Sequence, residues 1–388
     1  MTCGAPAEQN RPQPGRHEEN RIMSKPSPNS RYVLLRYLSG ALLFRVVFCC
    51  CVLVSLLEIL ALLEQTTPIL QRHLGISGIV NYAAMRLPFL LSGALPLSVL
   101  IGALLMLTQM TLASEMAILR AAGLSTLGLY KYLVPATLLI GMAGIVLDDQ
   151  ITPRSEQALA AWWNRTDPAP EDGHSFWFHE GKNLTYVDHV ADGGNVLGTV
   201  NVYIRNNQNM LVRTLHAPRA HYTGADGWTL YDVDGLDIDL KDQKVDRLPR
   251  LPAMPWNTTL FPRDFIRLST GNAPLSTSTI IGMLRGQVPS DSSPGFLKAG
   301  LMERFLRPAS LLVLLLIAMP VIYIPPRTGT RSWLPVWCLG AGLLFIVVQG
   351  LLRAMGNAGL LPPPVATVPA LIIFTLGALT VLLRNETR

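Results

Sequence analysis

Six apolar stretches, each about 20 residues and so long enough to cross a bilayer core as a helix, constrain this chain more than any other feature. They cover Leu38–Leu63, Pro88–Leu107, Leu127–Leu147, Phe305–Ile324, Trp333–Leu352 and Pro364–Leu383. Three precede and three follow a polar middle segment with no such run. In hydrocarbon, every backbone N–H and C=O must be satisfied internally, so each run is expected to be a helix packed against others. Pro96, Pro135, Pro320 and Pro369 interrupt the runs, which packed membrane helices tolerate.

Charge follows the same division. Residues 150–298 hold 16 Asp/Glu and 14 Lys/Arg, a net of −2, while the rest of the chain holds 10 and 18, a net of +8. The middle therefore reads as a water-exposed domain and the flanks as apolar segments with basic edges. Lys and Arg beside apolar spans match the positive-inside bias and attraction to anionic lipid, so the overall +6 implies no nucleic-acid partner. The N-terminal arm (Arg11, Arg16, Arg21, Lys25, Arg31, Arg36), Arg120 and Lys131, Arg327 and Arg331, and Arg384 and Arg388 all fall on one side of six spans. That side is expected to be cytoplasmic, with the middle domain opposite. Residues 1–30 read as a disordered arm, Met23 offers an alternative start, and the first span acts as an uncleaved anchor.

The five cysteines avoid the middle domain, so it is expected to fold without disulfides. Cys49, Cys50 and Cys51 point about 100° apart on a helix and cannot converge on one metal.

Within the middle segment the period changes to two. Along Val196–Arg205 one face reads Val196, Gly198, Val200, Val202, Ile204 and the other Thr199, Asn201, Tyr203, Arg205. Similar runs occur at Ser175–His179, Leu184–Val190, Met210–His216 and Trp228–Asp239, separated by Gly-, Asn- and Asp-rich turns. An antiparallel sandwich or partly open barrel is expected. Asp232 and Asp234 share a solvated face. A bulge at Gly235 is expected to turn Leu236, Ile238 and Leu240 inward and leave Asp237 and Asp239 in water, in an acid-rich stretch that runs on to Asp242. Residues Leu248–Pro262 are proline-rich and read as lacking regular structure, and Thr277–Arg285 as a short helix.

Chemistry-bearing motifs are missing: no GxxxxGK[ST] loop, HExxH or CxxC occurs, and no cofactor is expected. The most informative stretch lies between the second and third spans. Ser114 is placed to cap a helix starting at Glu115, and Gly123 to end it. Met116 and Leu119 form an apolar stripe bordered by Glu115 and Arg120. Such an elbow suits docking into a cleft on a cytoplasmic motor subunit.

The sequence resembles the LptF/LptG family of lipopolysaccharide-export permeases, closer to its LptG branch. Arg36-Tyr37, Leu53–Leu56, the Ser-Glu-x-x-x-x-x-Ala-x-Gly pattern at Ser114–Gly123, Arg304-x-x-Arg307-Pro308-x-Ser310 and the Pro362–Pro364 cluster carry the resemblance. It implies an α+β membrane protein of six transmembrane helices (3+3) with an inserted periplasmic β-jellyroll or sandwich. The expected parts are a coupling helix near 109–123, transmembrane helices within 31–149 and 304–388, a jellyroll over 150–275 and a connector over 276–303.

The resemblance further implies a multi-pass inner-membrane permease of a Gram-negative bacterium, not itself an enzyme. Its implied partners are a cytoplasmic ATPase dimer, a paralogous permease, a single-span periplasmic jellyroll protein and lipopolysaccharide. Glu115, Met116, Leu119, Arg120 and Gly123 would couple to the ATPase. Arg72, Arg86, Arg154, Arg304 and Arg307 at the outer mouth would meet lipid phosphates, and Val200 and Val202 inside the sheet would meet acyl chains. Glu58, inside the first span, would face the cavity or a partner, because a lipid-facing carboxylate is costly. Ala61 stands where some family members carry lysine, which removes that contact from the first span. A permease for another lipid or lipoprotein, or a membrane-anchored lipid- or glycan-modifying enzyme, are the competing readings.

Overall fold

The structure, a computed structural model, describes residues 28–166, 175–180, 183–206, 208, 210–224, 227–239, 244–258, 260–269, 275–285, 288, 294–323 and 333–386. Arg11, Arg16, Arg21, Met23, Lys25, Leu240, Asp242, Arg327, Arg331 and Arg388 lie outside the described residues.

Among the described residues, six helices are long and apolar enough to cross a membrane. They fall in two groups of three around an antiparallel sheet, so the α+β class with an inserted β domain holds. α1 spans Pro28–Gln71 and α2 spans Gly75–Leu112. At 44 residues, α1 is about 66 Å long, roughly twice a bilayer core. His73 and Gly75 break the helix with φ of 56° and 60°, and α2 begins there. Arg86 therefore sits on α2 and not in a loop, because the helix extends well beyond its apolar run.

After the short α3 (Glu115–Ala121), α4 (Thr126–Val146) continues through a π-helical turn, Leu147–Ile151, into α5 (Thr152–Arg165). Leu159, Trp162 and Trp163 of α5 pack on Ile69 and Tyr82, forming a satellite core beside the α1–α2 turn. α6 (Pro262–Ser269) and α7 (Thr277–Leu284) follow the sheet. α8 (Pro294–Ala318) ends in a 3₁₀ turn, Met319–Tyr323, before α9 (Leu334–Asn357) and α10 (Pro363–Glu386).

The membrane core joins α1, α2, α4, α8, α9 and α10 through Leu42, Leu100, Leu133, Leu314, Phe345 and Leu382. Two glycines allow backbone contact. A Cβ on Gly102 would lie 2.9 Å from Val46 Cα, and one on Gly141 would lie 2.9 Å from Pro308 Cα. Small residues at such crossings are how membrane helices reach close packing.

Six strands run in sequence order, each antiparallel to the next: β1 Phe176–Glu180, β2 Asn183–Ala191, β3 Val196–Arg205, β4 Leu211–Tyr222, β5 Trp228–Asp239 and β6 Lys244–Trp256. β6 corrects the expectation that Leu248–Pro262 lacks regular structure. Among the described residues it is an edge strand bonded to β5 alone, so Pro249, Pro252 and Pro255 owe no N–H to a second neighbour.

A crease crosses the sheet. The ladder omits the positions where Asp188, Thr199, Pro218, Asp232 and Pro252 would pair in turn. Thr199 and Asp232 have φ of 39° and 53°, and the two prolines lack a donor. Across this line buried residues are three apart instead of two: Leu197 and Val200, Ala217 and Ala220, Leu230 and Val233. A phase break therefore lies at Asp232, and the expected bulge follows it, where the β5–β6 register shifts between Val233 and Gly235. The phase break leaves Leu236 37% exposed, against the expectation that it points inward. Asp237 pairs instead with Arg213 at 2.5 Å. The same shift on β3 puts Leu197 into the core while Gly198 lies beneath the His189 ring. α6 covers one face of the sheet: Phe265 packs edge-on against Phe178 and Trp228 at 5.6 and 4.9 Å.

Candidate functional site

The elbow between α2 and α4 is held on three sides. Ser114, expected to cap α3 with its hydroxyl, adopts φ 62° and makes no side-chain cap. Its carbonyl accepts from Ala117 and Ile118 N–H at 3.1 and 3.3 Å, because the chain must reverse sharply out of α2. Gly123, with φ 85°, ends the helix by donating to the Arg120 carbonyl at 2.8 Å. Met116 is buried and Leu119 packs against the membrane core. The Tyr37 hydroxyl of α1 donates to Glu115 at 3.0 Å. At the other end, the Arg120 guanidinium lies 4.6 Å over the Tyr323 ring, whose hydroxyl bonds Thr126 at 2.9 Å.

The elbow thus joins the first span to the end of the fourth. Its remaining face, with Ala117, Ile118, Ala121 and Ala122 exposed, is a small apolar knob flanked by charge. Ser125, not Ser114, performs capping here: its hydroxyl accepts from Gly128 N–H at the start of α4.

At the opposite end of the spans, three of the five arginines expected to meet lipid phosphates, Arg86, Arg304 and Arg307, pair with acids. Arg304 pairs with Asp149 at 3.0 Å and donates to Thr277 and the Leu275 carbonyl at 2.7 and 2.8 Å. Arg307 pairs with Asp148 and donates to Ser92 at 2.9 Å, and Ser92 donates to Asp148. Arg86 donates to both oxygens of Glu156 at 3.1 Å and lies 4.4 Å over the Phe89 ring. Arg72 donates to the Trp163 carbonyl at 2.7 Å and covers its ring at 4.0 Å. Arg154, with a bond of 3.5 Å to Gln150, is the most loosely held of the five.

Sequence reading missed the partners Asp148 and Asp149 on the π turn and Glu156 on α5. Their signal was an acidic pair closing the third span, opposite two arginines three residues apart. Chemically, the cluster locks α2, α4, α7 and α8 together where the sheet domain joins the membrane part. A phosphate arriving there would compete with carboxylates already in place.

Glu58 occupies α1 with both carboxylate oxygens covered and no hydrogen-bond partner. Val200 and Val202 are buried in the sheet core with Phe178, Leu215 and Trp228, so the inward face expected for this part of β3 is the observed one.

Comparison with known proteins adds a direction. The model of a family described as lipopolysaccharide export system permease LptF/LptG matches residues 36–384. The lipopolysaccharide export system permease protein LptG of Escherichia coli (strain K12) is 23% identical over 364 residues, 91% of this chain and 99% of that protein. Its namesake in Haemophilus influenzae (strain ATCC 51907 / DSM 11121 / KW20 / Rd) is 24% identical over 325 residues, 82% and 88% of the two chains.

Proposed function

Because the chain belongs to the LptF/LptG family of lipopolysaccharide export permeases, we propose that it is the permease subunit of an ATP-driven complex that extracts lipopolysaccharide. In this reading the lipid leaves the outer leaflet of the inner membrane and passes to a periplasmic β-jellyroll bridge. The sheet domain faces the periplasm, and a paralogous permease and a single-span jellyroll protein complete the assembly. A separate cytoplasmic ATPase dimer docks on the Glu115–Gly123 elbow and supplies the work.

The observation that carries this reading is the extent of the family match, which runs through all six spans, the elbow and the sheet. The elbow's geometry supports it: an apolar knob fixed to both helix groups can pass a push from a cytoplasmic subunit to each. The outer-mouth arginines act in this reading as positioning residues first, with Arg154 the most available to a lipid phosphate.

The test is copurification from native membrane in mild detergent, with bound proteins and lipid identified. An ATPase, a second permease and lipopolysaccharide are expected. Recovery of the chain with a different lipid and no ATPase would overturn the proposal.

A further inference from the structure

The sheet face opposite the core is not a plain solvated surface. One cross-strand row runs over it from β1 to β5: Trp177 pairs with Tyr186, Tyr186 with Asn201, Asn201 with His216 and His216 with Asp234. At four strand spacings the row is about 19 Å long. Trp177 stays 46% exposed, although its neighbours Phe176 and Phe178 on the other face are buried. Its ring stacks on Tyr203 at 5.7 Å and 25°, and tilts against Tyr186 at 5.0 Å. These rings form a platform that still presents apolar surface to water, and exposed apolar patches of this kind mark binding surfaces.

Polar groups are set among the rings. The Tyr186 hydroxyl donates to Asp188 at 3.1 Å, and Asp188 stands at the crease with its carboxylate half exposed. His216 Nδ1 donates to the Asn201 side-chain oxygen at 2.6 Å, which leaves the Asn201 NH2 group to donate outward. Asp234 is exposed at the end of the row. Two carboxylates therefore flank the platform, while Arg205 and Arg247 stand at its margins, at the end of β3 and on β6. Carboxylates only accept, so an occupant must bring hydrogen-bond donors, and a phosphate is repelled. A protein partner favours an interface centre depleted of charge. A pyranose ring matches both halves of the patch: its C–H face lies on an aromatic ring, and its hydroxyl rim donates and accepts. Several such rings in a chain fit the length of the row.

We propose that this face binds the neutral sugar rings of the transported glycolipid, stacking them on Trp177 and Tyr203 and taking their hydroxyl protons on Asp188 and Asp234. The inference rests on the transport reading for the source of the sugar. β3 then serves both halves of one amphiphile, Val200 and Val202 facing its chains and Asn201 and Tyr203 its sugars. β1, an edge strand among the described residues, is where the molecule crosses from one face to the other, beside Trp177.

The test is saturation-transfer NMR on the purified full complex, in a detergent without a sugar head group. The probe is the core oligosaccharide released from lipopolysaccharide by mild acid and then dephosphorylated. Binding to the parent is expected, weakened about tenfold or more in Trp177→Ala and restored in Trp177→Phe, which keeps a ring. Tyr203→Ala is the second ring variant, read if Trp177→Ala does not assemble. No binding by the parent at millimolar concentration, or undiminished binding in the alanine variants, overturns the proposal. Equal affinity for maltohexaose, an unrelated neutral glycan, overturns the assignment to the transported lipid. Loss of a copurifying protein from Trp177→Ala, with oligosaccharide binding intact, would make the face a protein interface instead. Lipopolysaccharide carried by the parent complex, identified in parallel, reports separately on the transport reading: lipid present without oligosaccharide binding removes this inference alone.

Discussion

The Tyr37 hydroxyl donates to a carboxylate oxygen of Glu115 across 3.0 Å, tying the first span to the elbow helix 78 residues away. This orients Glu115 before any partner arrives. Glu115→Lys is expected to reduce copurification with the ATPase subunit, since it reverses the charge on the proposed docking helix. Tyr37→Phe removes one hydrogen bond, a loss of about 1 kcal/mol, and should leave assembly intact. Unchanged assembly and ATP turnover in Glu115→Lys would remove this residue from the docking surface.

Ser114 sits at φ 62° without the side-chain cap that could repay it. A left-handed backbone costs a non-glycine residue about 1 kcal/mol, so Ser114→Gly should stabilise the detergent-solubilised protein by that order. Ser114→Val should do the reverse. Thermal unfolding of the two variants, read side by side, checks the sign.

Gly141 has no room for a side chain, with Pro308 Cα 2.9 Å from where its Cβ would lie, whereas Gly93 has nothing within 4 Å. Gly141→Val should therefore force α4 from α8 and destabilise by about 1–3 kcal/mol. Gly93→Val should change stability by less than about 0.5 kcal/mol. Equal yields and equal melting for both would show that the crossing is looser than described.

Val200 and Val202 line the sheet core, and Asn201 and Tyr203 the opposite face. If acyl chains travel along the core face of the sheet, photo-crosslinkers at Val200 or Val202 should capture lipopolysaccharide in an ATP-dependent manner. Capture from Asn201 and Tyr203 alone would move the lipid path to the outer face.

Much of this architecture is legible in the sequence, for a simple reason. Apolar runs of spanning length and strict alternation are local patterns, and β3 and β5 have the limits that alternation assigned them. Gly123 was legible as a stop because only glycine takes φ 85° without strain. What stayed hidden was relational. The prolines of β6 looked like a loop because a sequence does not say which strand is at the edge. Arg86, Arg304 and Arg307 read as lipid contacts because Glu156, Asp149 and Asp148 reach them from other elements. Leu236 was turned the wrong way because the phase change at Asp232 belongs to the whole sheet and leaves little trace in one strand.

That shared line through Asp188, Thr199, Pro218, Asp232 and Pro252 also governs how the domain can change over evolutionary time. Removing one residue from the middle of β3 would slide its bend away from Pro218 and exchange buried for exposed positions on one side. No neighbour could follow without a matching deletion of its own. Insertions and deletions are therefore expected at hairpin tips such as 192–195, with strand length kept as a block. A substitution of Pro218 or Asp232 is a change to five strands at once.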